Sequence, residues 1–195
     1  MQPVREDEIL DLTAYEKERA ERRTRVIQLR HRRRIELGDH LSLVFENRET
    51  VLYQIQEMVR AERMVDALAI AHEVETYNEL LPKPGELSAT LFIEVSDVDH
   101  IRADLESFIG LDAGPHLWIE FGEAGRAMAR FEAGHSEEGR IAAVHYVRFT
   151  LTGEQRTRFC DPGCGVEFVL DHPNHKARVL PTEVTRNELI QDLHD

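Results

Sequence analysis

The feature that most limits what this chain can fold into is a change of hydrophobic period at Pro82-Lys-Pro-Gly85. Before it, Val51, Ile55, Met58, Val59, Val65, Leu68 and Ala69 recur at helical spacing. They place one apolar stripe on a helix over residues 50–70, with a further helical stretch to Leu81. The two prolines end that run. After them the period drops to two. Leu87, Ala89, Leu91, Ile93 and Val95 alternate with Ser88, Thr90, Phe92 and Glu94, as in a strand with one buried face. Similar alternation predicts strands over 117–121, 127–132, 141–152 and 165–171. Residues 41–45 read as a short strand or an extended entry, and 176–180 as a candidate closing strand. Turn-sized gaps between several of these segments favour an antiparallel sheet over a βαβ array.

The N-terminal part reads as helix from about Asp7 to Glu36, because Glu, Arg, Leu and Ala dominate and no Gly or Pro follows Pro3 before Gly38. Its apolar positions are sparse, so it buries only a narrow stripe. A short helix is predicted over 97–108, and Pro181-Thr182-Glu183 opens a last one, with Thr182 as its cap. The expected fold is therefore α+β. Long N-terminal helices pack on a mostly antiparallel sheet of five or six strands, and a short C-terminal helix follows. Residues 1–84 form the helical region and 85–195 the sheet region of one folded unit.

At 195 residues, 42% hydrophobic and 31% charged, the chain has the make-up of a globular protein with a core. No apolar run approaches the roughly 20 residues of a membrane-spanning helix. The start MQPVREDEILDL has no secretory pattern, and two cysteines suit a reducing compartment, so a cytoplasmic location is expected. The net charge of −13 argues against nucleic acid as a partner. That average hides an asymmetry: residues 17–34 carry nine Lys/Arg against two Asp/Glu, leaving the rest at −20. A basic helix of this kind neutralises the acidic body, pairs with another copy, or meets an acidic partner.

Three groups of residues are candidates for chemistry. The segment from Phe45 to Arg63 gathers Glu46, Asn47, Arg48, Gln56, Glu57 and Arg60 at the start of a helix, where an anion or carboxylate is readily held. Cys160 and Cys164 precede His172 and His175, a donor set suited to zinc or iron, although the spacing fits no standard finger. Asp66, His72, Glu73, Glu75, Glu94, Asp97 and His100 form a looser carboxylate–histidine set. A di-iron bundle needs Glu-x-x-His on two helices, and the single such motif, Glu132 to His135, falls in a turn containing Gly134. No nucleophile elbow, phosphate loop or dinucleotide fingerprint is present.

The strings FENRETVLYQIQEMVRAERM, YNELLPKPGELSATLFIEV, VHYVRFTL and DHPNH resemble a bacterial family known as domain of unknown function 3501. The resemblance spans nearly the whole chain. It marks Glu46, Asn47, Arg48, Gln56, Glu57, Tyr77, Asn78 and Glu94 as lying in family segments. Cys160 and Cys164 lie outside them, and His175 stands where members carry an aromatic. Members are often encoded beside rubrerythrin-like proteins and iron–sulfur proteins. The resemblance thus implies an accessory role in a redox or peroxide-handling module, docking through the basic helix and residues 45–63. The alternatives are a metal-binding oxidoreductase, with ligands among Glu57, His72, Glu75, Glu94 and His172, and a small-ligand binding protein with a pocket between the second helix and the sheet.

Overall fold

The computed structural model describes residues 1–94, 101–132 and 140–194. The expected strand end at Val95, the helix start at Asp97, and His100 and His135 lie outside them. A 3-10 turn at Glu6–Glu8 leads to helix α1 (Leu12–Arg32), and two strands follow, β1 (Arg34–Glu36) and β2 (Leu41–Phe45). Helices α2 (Arg48–Ala61) and α3 (Ala67–Asn78) precede β3 (Glu86–Ile93), α4 (Ile101–Glu106), β4 (Leu117–Glu120), β5 (Arg126–Phe131) and β6 (Val144–Thr150). The chain ends through α5 (Gly153–Cys160), β7 (Glu167–Asp171), β8 (Lys176–Val179) and α6 (Glu183–His194).

The eight strands among the described residues join one sheet in the order β1-β2-β3-β6-β5-β4-β7-β8, and each neighbouring pair is antiparallel. The expectation of five or six strands is corrected to eight. Residues 41–45 and 176–179 are true strands, and Arg34–Glu36 pairs with β2 instead of ending the first helix. Three residues are too few to show a period of two, and their arginine-rich surroundings continue the composition of α1. Gly38, at a φ of 78°, makes the reversal between β1 and β2. Helix α5 falls where no helix was expected, yet its cap is plain in the chain: Thr152 and Gln155 form a reciprocal capping box. The second helix stops at Ala61, short of the predicted end at Ile70, with Arg63 in the left-handed region at a φ of 52°.

The sheet is rolled. Laid flat, β2 and β7 stand five strand spacings apart, roughly 24 Å. Yet the rings of Phe45 on β2 and Phe168 on β7 lie 5.6 Å apart, and Phe149 of β6 sits 6.3 Å and 6.2 Å from them. These rings, with Leu43, Leu87, Leu91, Ile119 and Leu170, fill the inside of a nearly closed barrel, to which α6 adds Leu189 and Leu193. A cleft of about 630 Å³ marks the seam, lined by Ile35 of β1 and Val179 of β8. On the outer face, α2 and α3 form a second apolar cluster of Val51, Ile55, Val59, Val74, Leu80 and Leu81 against which Tyr146 of β6 packs, while α1 lies against β2 and sets Arg30 over Phe92 of β3. Among the described residues, no helix is long and apolar enough to cross a membrane.

One buried cation ties these layers together. Arg33, 1% exposed, donates to the carbonyls of Phe45 and Glu46 at 2.9 Å and 3.2 Å and pairs with Asp192 of α6. Removing one partner of a buried pair typically costs about 3–5 kcal/mol, because the other charge stays desolvated. Arg33→Ala is therefore expected to lower unfolding free energy by about that amount in urea titration. A loss under about 1 kcal/mol contradicts the clamp.

Candidate functional site

The start of α2 is built as its residue types require. Asn47 accepts from the Thr50 amide at 3.0 Å, and the Thr50 hydroxyl accepts from the Asn47 amide at 2.9 Å. Glu46, just before the helix, is 1% exposed. Its carboxylate accepts from Thr50 Oγ1 at 2.5 Å, Gln54 Nε2 at 2.9 Å and Thr90 Oγ1 at 2.6 Å, all neutral donors. A buried negative charge is thereby set against the outer face of the sheet.

The register carries this charge toward Tyr146. Thr90 stands opposite Tyr146 across β3 and β6, and both point outward under α3. Tyr146 and Tyr77 flank a pocket of about 330 Å³, completed by Glu73, Thr76, Glu79, Leu80 and Glu132. Burial raises both phenols above the ordinary tyrosine range, and neighbouring charges add to it, Glu46 and Glu132 for Tyr146 and Glu73 for Tyr77. Both hydroxyls therefore remain protonated donors at neutral pH. The described lining holds two aromatic rings, three carboxylates and no Lys or Arg.

Most of the other expected residues of this segment bind the chain's own N-terminus. Arg48 pairs with Glu8 at 2.5 Å, which holds the Glu8 carboxyl down at about 2. Gln56 and Asn78 each bond the main chain of the first ten residues. Glu57 accepts from Nε and Nη2 of Arg19, each at 2.8 Å, and from the Tyr15 hydroxyl at 2.6 Å, and Arg19 lowers its pKa. Arg60 pairs with Glu16. Glu94 lies apart, bonded to Arg34 and Ser42 beside a cleft of about 380 Å³. Asp66 caps α3, and His72 and Glu75 are exposed.

The four donors expected for zinc or iron do not gather. Cys160 faces His194 at 3.9 Å, and Cys164 donates to Asp161 at 3.4 Å. His175 stacks on Phe108 with ring centres 3.7 Å apart and bonds Ser107, while His172 bonds the Ile109 carbonyl at 3.2 Å. Among the described residues, no three His, Cys, Asp or Glu side chains converge as metal donors. Sequence reading passed over Tyr146 and Glu132 as site residues. The outward parity of Tyr146 in VHYVRFTL, among Val144, Arg148 and Thr150, was the available signal.

Burial lowers the pKa of His172 and of His175 below 6.5, so folding favours the neutral form of both rings. The unfolded chain then binds more protons between those lowered values and 6.5. Stability is expected to be level above about pH 6.5 and to fall as pH drops through that window. His175→Phe, which keeps the stack on Phe108, is expected to flatten the fall in pH-dependent urea titrations. An unchanged slope contradicts this assignment.

Comparison with known proteins places the chain among relatives of undetermined activity. A crystal structure from Burkholderia pseudomallei K96243, described as a novel protein of unknown function, superposes with a TM-score of 0.89 at 28% identity, covering 98% of this chain and 100% of that one. The search of curated proteins gives no match. The family model described as a protein of unknown function, DUF3501, matches residues 3–193. The chain belongs to the DUF3501 family.

Proposed function

We propose that this chain is a small-ligand binding protein whose site is the pocket between α3 and the outer face of β5 and β6, and that its ligand is a cation bearing an amine or guanidinium group. The observation that carries this reading is the pocket lining: Tyr77 and Tyr146 beside Glu73, Glu79 and Glu132, with no Lys or Arg among the described residues. Two ring faces attract a cation through their quadrupoles, and the carboxylates exclude anions. The buried charge of Glu46 behind Tyr146 adds to the same field. About 330 Å³ lies at the lower end of ligand pockets, so a compact cation or the end of a longer one is accommodated.

Docking on a rubrerythrin-like or iron–sulfur protein, as the family resemblance implies, is a separate proposal with less support. Its expected surface is largely engaged within the chain. Arg19, Arg22, Arg25, Arg32 and Arg34 of the basic segment all have carboxylate partners in the chain, and Arg33 is buried.

Calorimetric titration with agmatine and n-butylammonium, and with butanoate as the anionic control, tests the cation reading. Both cations are expected to bind and butanoate is not. Tyr77→Ala and Tyr146→Ala are each expected to weaken agmatine binding by about 3- to 30-fold, the range of a cation–π contact. Failure of both cations, or equal uptake of butanoate, overturns the proposal.

A further inference from the structure

The first ten residues lie against α2 and α3 in a way that reads main chain more than side chain. Asn78 accepts from the Val4 amide at 2.8 Å through Oδ1 and donates to the Val4 carbonyl at 2.9 Å through Nδ2. Gln56, fully buried, repeats the arrangement six residues on: Oε1 accepts from the Leu10 amide and Nε2 donates to the Leu10 carbonyl, both at 2.9 Å. Each amide side chain thus reproduces one rung of an antiparallel ladder, in which a residue exchanges both its N–H and its C=O with one partner. Arg48 pairs with Glu8 between the rungs and reaches the carbonyl of Pro3, just before the first rung, at 3.5 Å. Val4, 2% exposed, is the apolar anchor, with Ile9 packed beside it.

We propose that this groove is a peptide-binding site, filled in cis by residues 1–10, that accepts an extended segment of a partner protein with the same chemistry. That chemistry is an apolar residue, a carboxylate four residues later, and free main-chain N–H groups at the two rung positions. The bonds described here run from the arm to α2 and α3, so a segment supplied in trans can make every one of them. The arm has one 3-10 turn as its regular structure, so few hydrogen bonds of its own oppose local release. Once it leaves, Gln56 and Asn78 each have two hydrogen bonds to refill, and one main-chain residue supplies both at each position. In cis the arm competes at an effective concentration on the order of millimolar, so the intact protein takes up free peptide weakly.

The test uses the full chain carrying Val4→Asp and Glu8→Lys, which weakens the arm and leaves the groove intact. The probe is a fluorescent synthetic peptide of sequence MQPVREDEILDL, followed by anisotropy. The arm-weakened chain is expected to bind it at least about tenfold more tightly than the unaltered chain, and Gln56→Leu in that background to abolish the gain. A peptide N-methylated at its valine and at its first leucine is expected to lose binding by at least about tenfold, since both rungs need an N–H. A folded arm-weakened chain that takes up no peptide, or that dimerises in its place, overturns the proposal, as does equal binding of the methylated peptide. Should that variant unfold, hydrogen exchange on the unaltered chain decides. The Val4 and Leu10 amides are expected to exchange by local opening, at least about 100-fold faster than amides at the centre of β3. Equal protection overturns the proposal.

Discussion

The contact on which the rest of the structure depends is the meeting of Phe45, Phe149 and Phe168 inside the rolled sheet. Burying a large apolar side chain is worth about 1.5–3 kcal/mol, and three rings from strands that a flat sheet holds apart gain this only if the sheet curls. Curling fixes which side of β2, β3 and β6 faces out. It therefore decides that Ser88, Thr90, Tyr146 and Arg148 lie on the outer face and that Ala89, Leu91, Val147 and Phe149 do not. The polar layer under α2 and α3, and with it the Tyr77–Tyr146 pocket, is a consequence of packing on the opposite face.

Charge is organised around the same frame. The helix that makes the chain so uneven in charge is held to the body by ion pairs to Glu57, Glu49 and Glu188, and Arg34 of β1 adds one to Glu94. Exposed pairs of this kind contribute at most about 1 kcal/mol each, so they set position more than stability. Arg33 differs because it is buried and its guanidinium reaches the carbonyls of Phe45, Glu46 and Glu188 and the carboxylates of Asp192 and Glu188. The pocket is the reverse case, with carboxylates gathered and no described cation in the lining.

Much of this was legible in the chain. The change of period at Pro82 separates the covering helices from β3, and the alternation of 87–93 gives the inward face residue by residue. The start of α2 at Asn47 was equally plain, and the sparse apolar stripe of α1 was so in part: Tyr15, Val26 and Leu29 are buried, whereas Ile27 is exposed and Ile35 belongs to β1. The rest was hidden for physical reasons. β1 is three residues long, and its pairing with β2 depends on a reversal at Gly38 that local pattern does not reveal. Gln56 and Asn78 are recognisable as polar residues in family segments, but their partners are main-chain atoms of Val4 and Leu10, which carry no sequence signal. Tyr146 and Glu132 reach the pocket through the pairing of β6 with β3 and β5, separated from Tyr77 by more than fifty residues of chain.

The most direct measurement is nuclear magnetic resonance of the four tyrosine rings, Tyr15, Tyr53, Tyr77 and Tyr146, during titration with agmatine. Saturable shifts of the Tyr77 and Tyr146 ring signals are expected, with Tyr15 and Tyr53, which face Glu57, unmoved. Shifts confined to Tyr15 and Tyr53, or no saturable shift in any ring, would contradict the cation reading.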